Sequence, residues 1–194
     1  TTGTGKTGTA GTDTAEAPKA PDQAKPNPAG CNSDFAEQFN ADVTLTEKCS
    51  PYTVKAELNV DGYAMTIEPG VELKFEDGQQ MNIAYYKAAR LIVKGTREKP
   101  VKFTGRSWKG LRFMKDAAGS SVENAVFEGA GTEDSPALTV ETHDLSLNTI
   151  TVTGAKKTAV KLTVDKPLKA FSAIDLSNAS EDPSELVHAR IATA

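Results

Sequence analysis

Ten basic side chains lie between Lys87 and Lys115, with Glu98 as the single acid among them. The following stretch, Asp116 to Asp144, holds seven acids and no Lys or Arg. Two such blocks offer non-covalent chemistry, the attraction of a polyanion to a basic band, and not bond-making. Arg90, Lys94, Arg97, Lys109 and Arg112 are the residues expected to carry it. The plainer alternative is that the two blocks pair with each other on solvated faces, each exposed pair contributing under about 1 kcal/mol.

Covalent and metal chemistry find less support. His143 and His188 have no Ser or Cys nucleophile in a recognisable motif. The two Cys and two His do not make one of the usual four-ligand zinc sites. The acids include no Asp-x-Asp and no Asp-Asp pair, and Glu76-Asp77 and Glu133-Asp134 stand beside turns, as solvated loop residues do. Gly3-Thr4-Gly5-Lys6-Thr7 resembles the end of a phosphate loop, but it lacks the earlier Gly, the strand before and the helix after. No catalytic residue, metal or cofactor is expected. Cys31 and Cys49 lie 18 apart, and a disulfide between them would close a loop worth about 3 kcal/mol. Two unrelated buried thiols are the rival reading, which an exported chain disfavours.

These residues must be positioned by something, and composition narrows what. The chain has 194 residues, 38% hydrophobic and 25% charged, with net charge −4 and no apolar run near the roughly 20 residues of a membrane-spanning helix. The acidic balance argues against nucleic acid as the main partner. Residues 1–30 contain no Val, Ile, Leu, Met or aromatic residue, so they have nothing to bury and are expected to form a disordered Thr/Gly/Ala/Pro linker. Pro28-Ala29-Gly30-Cys31 ends like a lipoprotein cleavage site, yet no apolar segment precedes it. A lipid-bearing Cys and an export signal are therefore expected upstream of Thr1.

A compact domain is expected over 31–194. Asn32-Ser33-Asp34 is a capping sequence for a short helix Phe35–Phe39, which with residues 31–50 would close the N-terminal end. From residue 52 apolar residues fall at every second position in runs of three to five, as in Val71-Glu72-Leu73-Lys74-Phe75 and Leu138-Thr139-Val140. That period means strands with one face inward, and the domain is all-β. The pattern returns after about 20–28 residues: Leu58-Asn59-Val60 is answered by Met81-Asn82-Ile83, and Phe75 by Phe103 and Phe127. Such a period suits a stacked solenoid of five or six coils. A sandwich, with Asp61-Gly62 and Asp77-Gly78 as hairpin turns, is the alternative. Leu186, Val187 and Ile191 make residues 180–194 a candidate C-terminal cap helix.

Several of these runs together resemble the right-handed parallel β-helix modules of secreted and surface-tethered bacterial proteins. They are Thr66-Ile67-Glu68-Pro69-Gly70-Val71, Leu91-Ile92-Val93-Lys94-Gly95-Thr96, Pro100-Val101-Lys102-Phe103-Thr104, Trp108-Lys109-Gly110-Leu111-Arg112-Phe113 and Asn124-Ala125-Val126-Phe127-Glu128-Gly129-Ala130-Gly131. The likeness covers residues 52–131 and departs at Tyr85-Tyr86-Lys87-Ala88-Ala89-Arg90, where a short Gly turn is usual and a bulging loop is expected here. It implies that Trp108 packs before a corner and is not a sugar-stacking platform. It also implies an extracellular or envelope location. The expected role is a structural or binding module whose partner is an envelope protein or polysaccharide. A carbohydrate-active enzyme and a subunit of a larger surface assembly are the alternatives.

Overall fold

In the computed structural model the described residues are Thr1, Cys31, Phe39, 41–179 and, as backbone strands, Asp34–Phe35 and Val187–Ile191. The expected linker over 1–30 lies outside them, Thr1 aside.

The alternating runs become short strands wound into a parallel β-solenoid of about five coils. β1 (Asp34–Phe35) leads into a first coil of β2 (Val43–Leu45), β3 (Tyr52–Val54) and β4 (Leu58–Val60). The second coil is β5 (Ala64–Ile67), β6 (Glu72–Phe75) and β7 (Gln80–Ile83), and the third is β8 (Arg90–Lys94), β9 (Val101–Trp108) and β10 (Gly110–Phe113). β11 (Ser120–Ala130) and β12 (Leu138–Val140) follow, then β13 (Leu145–Thr153) and β14 (Val160–Val164), then β15 (Ala170–Asn178) and β16 (Val187–Ile191). Each coil crosses three faces. β2, β5, β8 and the first halves of β11, β13 and β15 stack on the first face; β1, β3, β6, β9 and the second halves stack on the second. β4, β7, β10, β12, β14 and β16 form a six-stranded third face. Every strand pairing is parallel, which excludes the hairpin sandwich.

Register explains the core. Leu58-Asn59-Val60 pairs residue for residue with Met81-Asn82-Ile83, as the 23-residue spacing predicts. The expected column Phe75–Phe103–Phe127 holds only in part. Phe103 aligns with Phe127, their rings stacked nearly parallel with centroids 4.7 Å apart, but Leu73 is the residue aligned with Phe103. The repeat there is two residues longer than the Phe spacing, and a slip of two keeps both side chains inward. Phe75 stacks instead on Trp108, centroids 4.0 Å apart. Trp108 is fully buried and its indole N–H donates to the Glu128 carbonyl at 3.0 Å, so it is a packing residue.

Corners without hairpins need unusual backbone. Asn124, Thr149 and Ala173 all take left-handed φ (47°, 57° and 53°) where β11, β13 and β15 turn from the first face to the second. At the equivalent corner of the third coil, a Cβ on Gly95 would lie 2.0 Å from the Asn124 carbonyl oxygen, so no side chain fits there. The Asn124 amide donates to the Gly95 carbonyl at 3.0 Å and ties the two coils together.

Both expected cap helices are corrected. Asp34–Phe35 is a strand paired with β3, and no α-helix occurs among the described residues; Glu47–Cys49 is a single 3-10 turn. Five residues cannot offset the nucleation cost of a helix, whereas the open edge of β3 offers ladder hydrogen bonds at once. At the other end Val187–Ile191 continues the third face beside β14, for the same reason, and the rest of 180–194 lies outside the described residues. Cys31 and Cys49 are joined by a disulfide, Cα atoms 5.2 Å apart, which fastens residue 31 to that 3-10 turn. No helix of the described residues is long and apolar enough to cross a membrane.

Candidate binding surface on the third coil

The solenoid path turns the basic stretch into a belt. Residues 87–115 make one full circuit, so the ten cations are spread over every face and corner of a single coil. In β8 the inward residues Leu91 and Val93 are buried, which forces Arg90, Ile92 and Lys94 outward; Arg90 and Lys94 are exposed and Ile92 is half-buried. At about 3.3 Å per residue, Arg90 and Lys94 stand some 13 Å apart along the first face. The corner that follows is clipped by the Thr96 N–H to the Lys99 carbonyl (3.0 Å) and the Lys99 N–H to Thr96 Oγ1 (3.0 Å), with exposed Arg97 at its tip. Lys109 lies at the corner between β9 and β10, and Arg112 points outward from the third face. The structure thus lines up Arg90, Lys94 and Arg97, and sets Lys109 and Arg112 apart from them.

The belt's charges differ in what they meet. Arg112 donates to Glu141 on the next coil, with N–O distances of 2.8 and 3.3 Å. Lys99 reaches Glu47 at 2.7 Å, and Arg106 pairs with Asp77. Of these, Arg112–Glu141 joins the basic block to the acidic block that follows it, whereas Lys99 and Arg106 pair with acids of earlier coils. Among the described residues Arg90, Lys94, Arg97 and Lys109 make no ion pair.

Beside Arg90 the surface is concave. The corner between β7 and β8 runs over six residues, where the one above it needs three, and so bulges as the departure at Tyr85–Arg90 foretells. Asp61 of the shorter corner holds it: one carboxylate oxygen accepts from the N–H groups of Tyr86 (2.8 Å) and Lys87 (3.2 Å). Beneath, Tyr63 is buried, with its hydroxyl donating to the Asn59 carbonyl at 3.1 Å; burial, and then the Asp61 charge, push its phenol well above the ordinary value. Between loop and coil lies a shallow open groove of about 340 Å³, whose walls include Asp42, Gly62, Ala88, Arg90 and Asp116. Tyr85 and Tyr86 crown the loop at 42% and 76% exposure, their rings 4.6 Å apart and at 88° to each other.

Sequence reasoning did not assign Asp42, Asp116, Tyr85 or Tyr86 to a site. Only the Tyr-Tyr pair had a signal, as the point where the chain leaves the repeat pattern. Asp42 and Asp116 are 74 positions apart and line one groove solely because of winding. Elsewhere, His143 Nδ1 lies 2.8 Å from Asp165 on an exposed corner, and no three His, Cys, Asp or Glu side chains of the described residues converge as a metal site. His188 lies on β16. Searches of protein families, characterised proteins and solved structures find no match to this chain.

Proposed function

We propose that this chain is a non-catalytic structural or binding module of a bacterial envelope or secreted protein, presented on its N-terminal spacer. It contacts an anionic polymer or acidic partner through the first face of the third coil. The winding is taken as right-handed, the sense of about 98% of parallel crossovers. The observation that carries the reading is the exposed row Arg90, Lys94 and Arg97, none of which has an ionic partner among the described residues. Exposed cations left unneutralised raise the local potential and speed the encounter with a polyanion, most strongly at low salt. Arg112 contributes less, because Glu141 already neutralises it.

The test reverses Arg90, Lys94 and Arg97 to Glu and measures the salt needed to elute the protein from a column bearing carboxylate or sulfate groups. Elution should move to clearly lower salt, while Lys109→Glu with Arg112→Glu, two reversals away from the row, should move it less for each charge reversed. Equal shifts per charge reversed would mean that net charge alone acts, and the row would have no special role.

A further inference from the structure

We propose that the groove beside Arg90 is a subsite for one ring of an anionic polysaccharide, with Tyr85 and Tyr86 as its stacking platform. This rests on the polyanion reading above and narrows it from any acidic polymer to one made of sugars.

The surface here offers mixed recognition. A purely anionic partner needs only cations, and the row from Arg90 through Lys94 to Arg97 supplies them. At its Arg90 end, however, the surface changes sign: Asp42 and Asp116 share the groove wall with that guanidinium. Carboxylates repel phosphates and other carboxylates but accept hydrogen bonds from hydroxyls. Asp42 spends one oxygen on the Ala64 N–H (2.8 Å), which fixes its orientation. Arg90 donates only, so the wall combines acceptors for ring hydroxyls with a fork for a carboxylate or sulfate. A sugar ring with an acidic substituent carries both kinds of group; a polyglutamate chain carries no hydroxyls.

The tyrosines supply what remains, an apolar surface in water. Tyr86 is three-quarters exposed and Tyr85 two-fifths, whereas the other large apolar side chains of the described residues are nearly all buried or half-buried. Adjacent exposed aromatics held in place mark an interaction site more often than isolated ones do. The platform is held: the Asp61 carboxylate fixes the Tyr86 and Lys87 amides, and Ala84 at φ 60° sets the loop's departure from β7. With the rings at 88°, one can offer its face to the C–H side of a pyranose while the other walls its edge. Tyr86 is two residues from Ala88 in the groove wall, so their Cα atoms are within about 8 Å.

The experiment uses the full chain and three immobilised or titrated probes: polygalacturonate, poly-L-glutamate and neutral dextran. Wild type should bind polygalacturonate at least about tenfold more tightly than poly-L-glutamate at equal charge density. Tyr85→Ala with Tyr86→Ala should remove most of that preference and leave poly-L-glutamate binding unchanged. Both rings are exposed, so an unchanged thermal midpoint is expected and shows that the fold is kept. Asp116→Asn should weaken polygalacturonate binding even though it removes a negative charge, a sign that simple electrostatics cannot produce. If wild type binds both polyanions equally and the tyrosine variant changes neither, the sugar subsite is refuted while polyanion binding stands. Binding to neither polyanion refutes both readings, and dextran binding as tight as polygalacturonate refutes the anionic requirement.

Discussion

Phe127 in β11 and Phe171 in β15 both occupy inward positions of the stack, yet one is fully buried and the other 42% exposed. Phe127 has coils on both sides: its ring lies on Phe103 and near Trp108. Phe171 aligns with Leu147, which is 1% exposed, on the coil before it, and lies in the last turn. Ile174 and Leu176 beside it are only half-buried. The difference shows that an inward residue of a solenoid draws its burial from its neighbours above and below, and not from its own strand. Stability is therefore greatest in the middle coils, where the basic belt and the groove also sit, and falls toward the C-terminal end.

Truncating each ring in turn measures how much its neighbouring coils contribute. Phe127→Ala should destabilise by about 3–5 kcal/mol, because close packing on both sides leaves a cavity that cannot collapse. Phe171→Ala should cost less than about 1 kcal/mol, since water already reaches the ring. Urea unfolding followed by fluorescence of Trp108, the sole Trp and a neighbour of Phe127, reads the first change directly. Similar costs at the two sites would mean that the last coil is as well covered as the centre.

The opposite end is closed by other means. Phe39 meets Tyr63 edge-on at 6.2 Å, the Tyr52 hydroxyl both accepts from the Thr46 N–H (3.0 Å) and donates to its carbonyl (3.1 Å), and Cys31 is bonded to Cys49. Closing an 18-residue loop contributes about 3 kcal/mol in the chain-entropy model. Replacing both Cys by Ser should lower stability by about that amount, and hydrogen exchange should rise in β2 to β4 with little change in β11. A global rise across all coils would show that the ends do not fray independently and that the coils unfold as one unit.

What was legible in the sequence follows the same division. Alternation and the 24-residue return of Phe103 as Phe127 disclosed strands, winding and register in the middle, because each inward residue there is selected by two neighbours. The ends lacked that redundancy. Phe35 and Phe39, four apart, suit a helix face as well as a strand, and the free edge of β3 decided the matter. The site divides likewise: the basic stretch is contiguous in sequence and could be read, and so could the bulge at Tyr85-Tyr86. That Arg112 would find Glu141, or that Asp42 and Asp116 would line one groove, depends on corner lengths that no local pattern encodes.

Acid offers the gentlest way to sharpen the contrast between centre and end. Two carboxyls of the last turns are held below the ordinary aspartate value. At Asp175 the Ser177 hydroxyl (2.7 Å) and N–H (3.0 Å) both donate to the ionised form. At Asp165 desolvation pushes upward, but the His143 contact, a backbone N–H and the His143 and Lys166 charges together outweigh it. A group whose value is lowered by folding stabilises the fold above its unfolded value, near 3.9, and loses that contribution as pH falls through the folded one. Both residues are exposed, so the effect is small and confined to their surroundings. Hydrogen exchange corrected for intrinsic rate should show β15 losing protection between about pH 4 and pH 2 while β9 and β11 keep theirs. Loss in β11 at the same pH would place the acid-sensitive groups in the centre and undo the distinction between the two regions.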